Sequence, residues 1–124
     1  PLASCDVFVV GGFNDFNGAL ASVESFSMGS RQWRRHSAMN VERINPGCCA
    51  IDGQTVYVFG GRSPDAKASF YDSIERLNVD LDLWTFVKVK LPARLTNTFA
   101  FPVKNDYIIV MGGLKRLLID TRTG

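Results

Sequence analysis

The amino-acid sequence predicts an all-β protein assembled from a tandem repeat, with four short antiparallel strands in each period. Three observations carry this. A Gly pair closes an apolar run three times, in D-V-F-V-V-G-G ending at Gly12, T-V-Y-V-F-G-G ending at Gly61 and Y-I-I-V-M-G-G ending at Gly113, at intervals of 49 and 52 residues. The two tryptophans, Trp33 and Trp84, stand 51 residues apart. Between Gly pair and Trp an ungapped block recurs, S-V-E-S-F-S-M-G-S-R-Q-W from Ser22 and S-I-E-R-L-N-V-D-L-D-L-W from Ser73. A fixed interval of this length marks a repeat architecture, and chance rarely aligns three such features in one period.

Each element of the period follows from local chemistry. The segments before the Gly pairs are short and rich in Val, Ile, Phe and Tyr, the residues that suit a pleated, half-buried surface. Clusters of Gly, Pro, Asn, Asp and Ser separate them, and no stripe at helical spacing appears. In the middle period the expected strands are a at 46–51, b at Thr55–Phe59, c at 72–79 and d at 83–89. Asp52-Gly53 forms the a–b hairpin turn, and Asp80-Leu81-Asp82 the c–d turn. The Gly pairs, Gly11-Gly12, Gly60-Gly61 and Gly112-Gly113, are expected to end strand b where the chain bends sharply and lies close to a neighbour. Trp33 and Trp84 are expected to open strand d and to offer a large apolar face between consecutive repeats.

A period of about 50 residues with four strands matches one blade of a β-propeller. The blades are expected at about 1–39, 40–90 and, incomplete, 91–124. Propellers need about four to eight blades, and an open fan leaves unpaired strand edges. The remaining blades are therefore expected from the same longer chain or from another subunit.

Composition narrows the class. Hydrophobic residues make up 46% and charged residues 21% of the 124, enough for a packed core and unlike a disordered chain. A formal net charge of +2, with the basic residues dispersed, gives no footprint for nucleic acid or a membrane surface. No apolar run reaches the length of a membrane helix. Three cysteines, Cys5, Cys48 and Cys49, make an odd set with two adjacent members. They read as free thiols in a reducing compartment, the cytoplasm.

These motifs resemble the kelch repeat. That pattern is an apolar strand ending in Gly-Gly, an aromatic or apolar position on strand c, and Trp on strand d. Gly11-Gly12, Phe26 and Trp33 fit it, as do Gly60-Gly61, Leu77 and Trp84. M-N-V-E-R followed by G-C-C-A-I-D-G is similar to the family's d–a connection, with its arginine at Arg43, and L-P-A-R repeats it at Arg94. The usual Tyr of strand c is replaced by Phe26 and Leu77, which keeps the packing and loses a hydroxyl. The resemblance implies a kelch-type propeller that binds a protein partner on the face where the b–c and d–a loops emerge, as a recognition module or adaptor of the kind found in ubiquitin ligases.

On that face the expected partner-binding residues are Arg62, Arg43, Arg94, Ser63, Asn14 and Asn17. Arginine suits an acidic peptide because its planar fork takes a carboxylate through two parallel bonds. For Arg43 and Arg94 the reading stays open between this role and bonds to neighbouring loop carbonyls. For Phe13, Phe16 and Phe70 the expectation is inward loop packing, with exposed anchors as the alternative. Glu24 and Glu75 recur at one position of strand c and are expected to serve structure, bonding turn amides. A second reading makes the protein a structural part of a cytoskeletal or other large assembly, bound through blade sides. Catalysis is not expected. Kelch-like copper oxidases need several His and Tyr ligands and this chain has one His, His36. CxxC spacing, a G-x-S-x-G elbow and a phosphate-binding loop are all lacking. No cofactor or metal is expected.

Overall fold

The computed structural model describes residues 6–51, 53–64, 70–93, 98–104, 106–112 and 115–123, with backbone alone at 115–117 and 123. The strands are β1 (Asp6–Val10), β2 (Phe13–Asn14), β3 (Gly18–Ala19), β4 (Val23–Ser27), β5 (Trp33–His36), β6 (Gly47–Ile51), β7 (Thr55–Phe59), β8 (Ile74–Asn78), β9 (Leu83–Phe86), β10 (Phe99–Val103), β11 (Tyr107–Gly112) and β12 (Lys115–Asp120). A single 3-10 turn follows at Thr121–Thr123. The strands form antiparallel meanders in the orders β1-β4-β5, β6-β7-β8-β9 and β10-β11-β12, one per blade, with β2-β3 as a small separate hairpin. In blade lettering β6 to β9 are strands a to d of blade 2. Blade 1 shows b, c and d, and blade 3 shows a, b and c.

Alternation along each strand sends side chains to the two neighbouring blades. Between blades 1 and 2 the core is Val23, Met39, Val56, Val58, Leu77 and Trp84, flanked by Phe8, Val10, Ala21, Cys48 and Val79. Between blades 2 and 3 it is Cys49, Ile51, Tyr57, Phe59, Ile74, Val87, Leu91, Ile108, Val110 and Ile119. Fully burying one such aliphatic side chain contributes roughly 1.5–3 kcal/mol, so these two joints hold the fan together. Trp84 lies in the first joint, buried, with its Nε1 donating to the carbonyl of Ser37 at 2.7 Å. Trp33 does not share that setting. It is 59% exposed, with the Phe26 ring beside it at 5.1 Å between centroids. It points to the side of blade 1 away from blade 2, where no described blade stands.

The first two Gly pairs do bend the chain. Gly11 and Gly12 have φ of 61° and 113°, Gly60 and Gly61 59° and 97°, the left-handed region that favours glycine. A Cβ on Gly11 would sit 2.5 Å from the Arg43 carbonyl oxygen, so the close approach is real. In the third period strand b runs on through the first glycine of the pair. β11 runs on through Gly112, which pairs with Lys115, and only residues 113 and 114 link the two strands. Gly113 and Asp52 lie outside the described residues. Gly53, beside Asp52, has φ of 70° in the a–b turn.

Candidate functional site

The d–a connection between blades 1 and 2 is pinned between two b–c loops. On one side Met39 N donates to the Ala21 carbonyl at 2.9 Å, Arg43 N to the Leu20 carbonyl at 3.0 Å, and Gly12 N to the Arg43 carbonyl at 2.8 Å. On the other, Ile44 and Arg62 exchange backbone bonds of 3.0 and 2.7 Å, and Arg62 also bridges to Phe70. These backbone bonds join the loops into one continuous surface.

Blade 1 contributes the β2–β3 hairpin. Its Asn14 Oδ1 accepts from Phe16 N at 3.0 Å and Asn17 N at 2.7 Å, and Gly18 closes the turn at φ 71°. This is the three-residue hairpin turn with a left-handed residue at its end. It holds Phe16 at the tip, 97% exposed, with Phe13 at 59% on the strand below. Inward packing is not found for either, because the turn projects them away from the other described elements. Phe70 is also at the surface, 37% exposed. Asn14 therefore works within the turn, and Asn17 is exposed beside it.

The arginines divide. Arg62 is exposed, and its guanidinium forms no ion pair among the described residues. Ser63, next in sequence, is mostly buried. Arg94 lies outside the described residues. Arg43 is fully buried, which excludes it from surface contact and corrects its place among the partner-binding residues. Its Nε and Nη2 donate to Glu75 Oε2 at 3.1 and 2.9 Å, its Nη1 to the carbonyls of Gly60 and Ser73 at 2.7 and 3.2 Å, and its Nη2 to Ser73 Oγ at 2.9 Å. The guanidinium also sits 5.1 Å from the Tyr71 ring centroid. Burial works against its charge, and the bonds to Glu75 work for it. Glu75, equally buried, accepts from Asn40 N at 2.7 Å. The pair is a clamp from the d–a connection onto strand c of blade 2. Its sequence signal was the recurrence of Ser-x-Glu on strand c together with Arg in the connection, but only the fold shows that the two meet.

A second polar cluster crosses the same joint. Ser25 Oγ lies 2.7 Å from His36 Nε2, and His36 Nδ1 lies 3.8 Å from Asp82 Oδ1. The order Ser, His, Asp is that of a hydrolase triad. Here, however, Ser25 and His36 are buried between blades, and Asp82 is occupied by Ser37 N at 2.9 Å and Ser37 Oγ at 2.8 Å. The cluster latches the c–d turn of blade 2 onto the end of blade 1. Burial, aided by nearby Arg34, holds the imidazolium of His36 below its usual range. The Ser37 bonds lower Asp82. Cys48 and Cys49 are both unpaired, and desolvation pushes Cys48 up to about 12. Among the described residues no group of three or more His, Cys, Asp or Glu could hold a metal ion, and no helix is long and apolar enough to cross a membrane.

Blades of antiparallel strands that pack face to face, two of them with a left-handed Gly pair at the end of strand b, define a β-propeller repeat protein. The kelch motif matches residues 5–40 and 42–88, and the chain belongs to the kelch-repeat family. It is similar to Kelch domain-containing protein 3 of Bos taurus, 29% identical over 113 residues, which are 86% of this chain and 28% of that protein. It is also similar to Beta-scruin of Limulus polyphemus, 28% identical over 114 residues, 87% of this chain and 12% of the other. The chain thus spans well under a third of either relative.

Proposed function

We propose that the protein recognises a partner protein on the surface formed by the b–c and d–a loops. Arg62 takes a carboxylate of an acidic segment, and Phe16 and Phe13, on the b–c loop of the neighbouring blade, act as apolar anchors. The observation that carries this reading is the β2–β3 hairpin. It presents an almost fully exposed aromatic ring on a turn already fixed by Asn14 and Gly18, and preorganisation of this kind lowers the entropic cost of binding. An adaptor that brings a substrate to a ubiquitin ligase in the cytoplasm is the finer form of the reading, and non-catalytic recognition its broader one. The test is capture from an array of acidic peptides with and without an aromatic-binding apolar pair. Arg62→Glu and Phe16→Ser should each reduce capture at least tenfold, with folding unchanged. Capture indifferent to both substitutions would sink the proposal.

A second reading, a structural part of a large assembly, is favoured by one observation. Val7, Val9 and Trp33 on blade 1, and Phe99, Phe101 and Leu118 on blade 3, are exposed on the two outer blade faces. Binding through these faces would be insensitive to Arg62 and Phe16, which separates the two readings in the same experiment.

A further inference from the structure

The end of strand d in blade 1 carries a motif that the repeat does not require. R-R-H-S, from Arg34 to Ser37, occurs once in the sequence. Counted from Trp33 and Trp84, the same four places in blade 2 hold Thr85, Phe86, Val87 and Lys88. Neither the two arginines nor the serine is therefore demanded by the blade. Arg34, Arg35 and Ser37 are all exposed. Among the described residues β5 pairs only with β4, so its outer edge is open, and Ser37 follows it directly in irregular chain. Basophilic serine kinases take substrates of this form. They bind an extended, uncovered segment and hold arginines two and three residues before the serine with carboxylates. The serine is also placed where a change of charge matters. Its Oγ donates to Asp82 Oδ2 at 2.8 Å and its N to Asp82 Oδ1 at 2.9 Å, and its carbonyl accepts the Trp84 indole. Asp82 belongs to the c–d turn of blade 2, and its side chain is 38% exposed, so the contact is reached from solvent.

We propose that Ser37 is a phosphorylation site for a basophilic serine kinase, and that the phosphate loosens the c–d turn of blade 2 from the end of blade 1. In the transfer Ser37 Oγ bonds to the γ-phosphorus of a nucleoside triphosphate as the bond to the β–γ bridging oxygen breaks. The diphosphate leaves, and the hydroxyl proton passes to the kinase's catalytic carboxylate. Oγ then has no hydrogen to give Asp82, and a group of charge about −1.5 to −2 stands against that carboxylate. Arg34, which acts electrostatically on both His36 and Asp82, offers the phosphate a cation on blade 1's own side. A bond across the joint is thus exchanged for repulsion across it and attraction within blade 1. The modification acts on the polar latch and leaves the apolar core of the joint in place.

The test incubates the folded chain with the catalytic subunit of the cyclic-AMP-dependent kinase and Mg-ATP, and reads peptide mass maps and thermal unfolding. One phosphoryl group is expected, on Ser37. Ser37→Ala should abolish it, and Arg34→Ala combined with Arg35→Ala should slow it by about tenfold or more. The phosphorylated protein should melt about 3–6 °C below the unmodified one. In an Asp82→Asn background, where the repelling carboxylate is gone, that drop should shrink by about half or more. Transfer to Ser37 only after the chain is unfolded, or to other residues in its place, overturns the proposal. So does transfer at an unchanged rate without the two arginines. A melting temperature indifferent to the phosphate, or a drop of full size in the Asp82→Asn background, overturns it equally, because the phosphate then does not act through the latch.

Discussion

Blades 1 and 2 carry closely matched residues on the corresponding face and bury them differently. Val56, Val58 and Leu77 have no exposure and Trp84 has 6%, whereas Val7, Val9 and Trp33 are 53%, 48% and 59% exposed. The sequence positions are equivalent, and what differs is the neighbour. A blade of this protein does not finish its own core, because one of its two faces is completed by the blade before it. Stability in such an array is a sum of repeat and interface contributions, and the contrast places a large share of it in the joints.

The largest expected effect separates the occupied clamp from its empty counterpart. Arg43→Ala leaves Glu75 buried without its cation and should cost about 3–5 kcal/mol, read as the shift in urea unfolding midpoint. Glu24→Gln, at the equivalent exposed position, should stay within about 0.5 kcal/mol. Equal losses from the two would break the comparison. Next, Trp84→Phe removes the indole bond to Ser37 along with packing and should cost about 1–3 kcal/mol, against less than about 0.5 kcal/mol for Trp33→Phe. Thermal unfolding of the two variants decides it.

A smaller effect distinguishes the two joints of the fan. The joint between blades 1 and 2 holds His36, while the repeat position in the next joint is Val87. The folded state keeps the His36 pKa below its usual 6.5 and so binds the proton less well than the unfolded chain. Its contribution is therefore complete above pH 6.5 and is lost progressively as the pH falls below that value. Asp82, lowered from 3.8, retains its contribution until more acid conditions. Hydrogen exchange between pH 7.5 and 5.5 should open amides at Ser25 and Ser37 before those of β11, and His36→Phe should flatten the difference. The smallest change is expected at the hairpin. Phe16→Ser should leave the melting temperature within about 1 °C, since an exposed side chain contributes little to folding.

The repeat was legible because a Gly pair, Ser-x-Glu and Trp are each demanded by backbone or packing at one place in every period. Strand order and turns followed from the same signals. What escaped was decided by contacts between periods. Arg43 and Arg62 both sit in loops of one surface, and nothing local tells that Arg43 turns inward to a carboxylate 32 residues away. The inward packing expected of Phe16 rested on aromatic burial as a default, whereas N-D-F-N-G encodes a turn that holds the ring out. The third period shows a limit of repeat reasoning. The residue opposite Val110 is Leu117, where Val9 and Val58 face Glu24 and Glu75, so a clamp of this kind is not repeated there.

The buried clamp also has a kinetic consequence. β7 and β8 are connected through a single loop and pair locally, but Arg43 reaches Glu75 only when the preceding connection is already laid across their ends. Contacts of that kind form after the local hairpins and contribute little to the folding transition state. Loss of the clamp should therefore appear on the unfolding limb of a chevron plot, with refolding rates nearly unchanged. The arginine governs how long a folded fan lasts more than how quickly it forms.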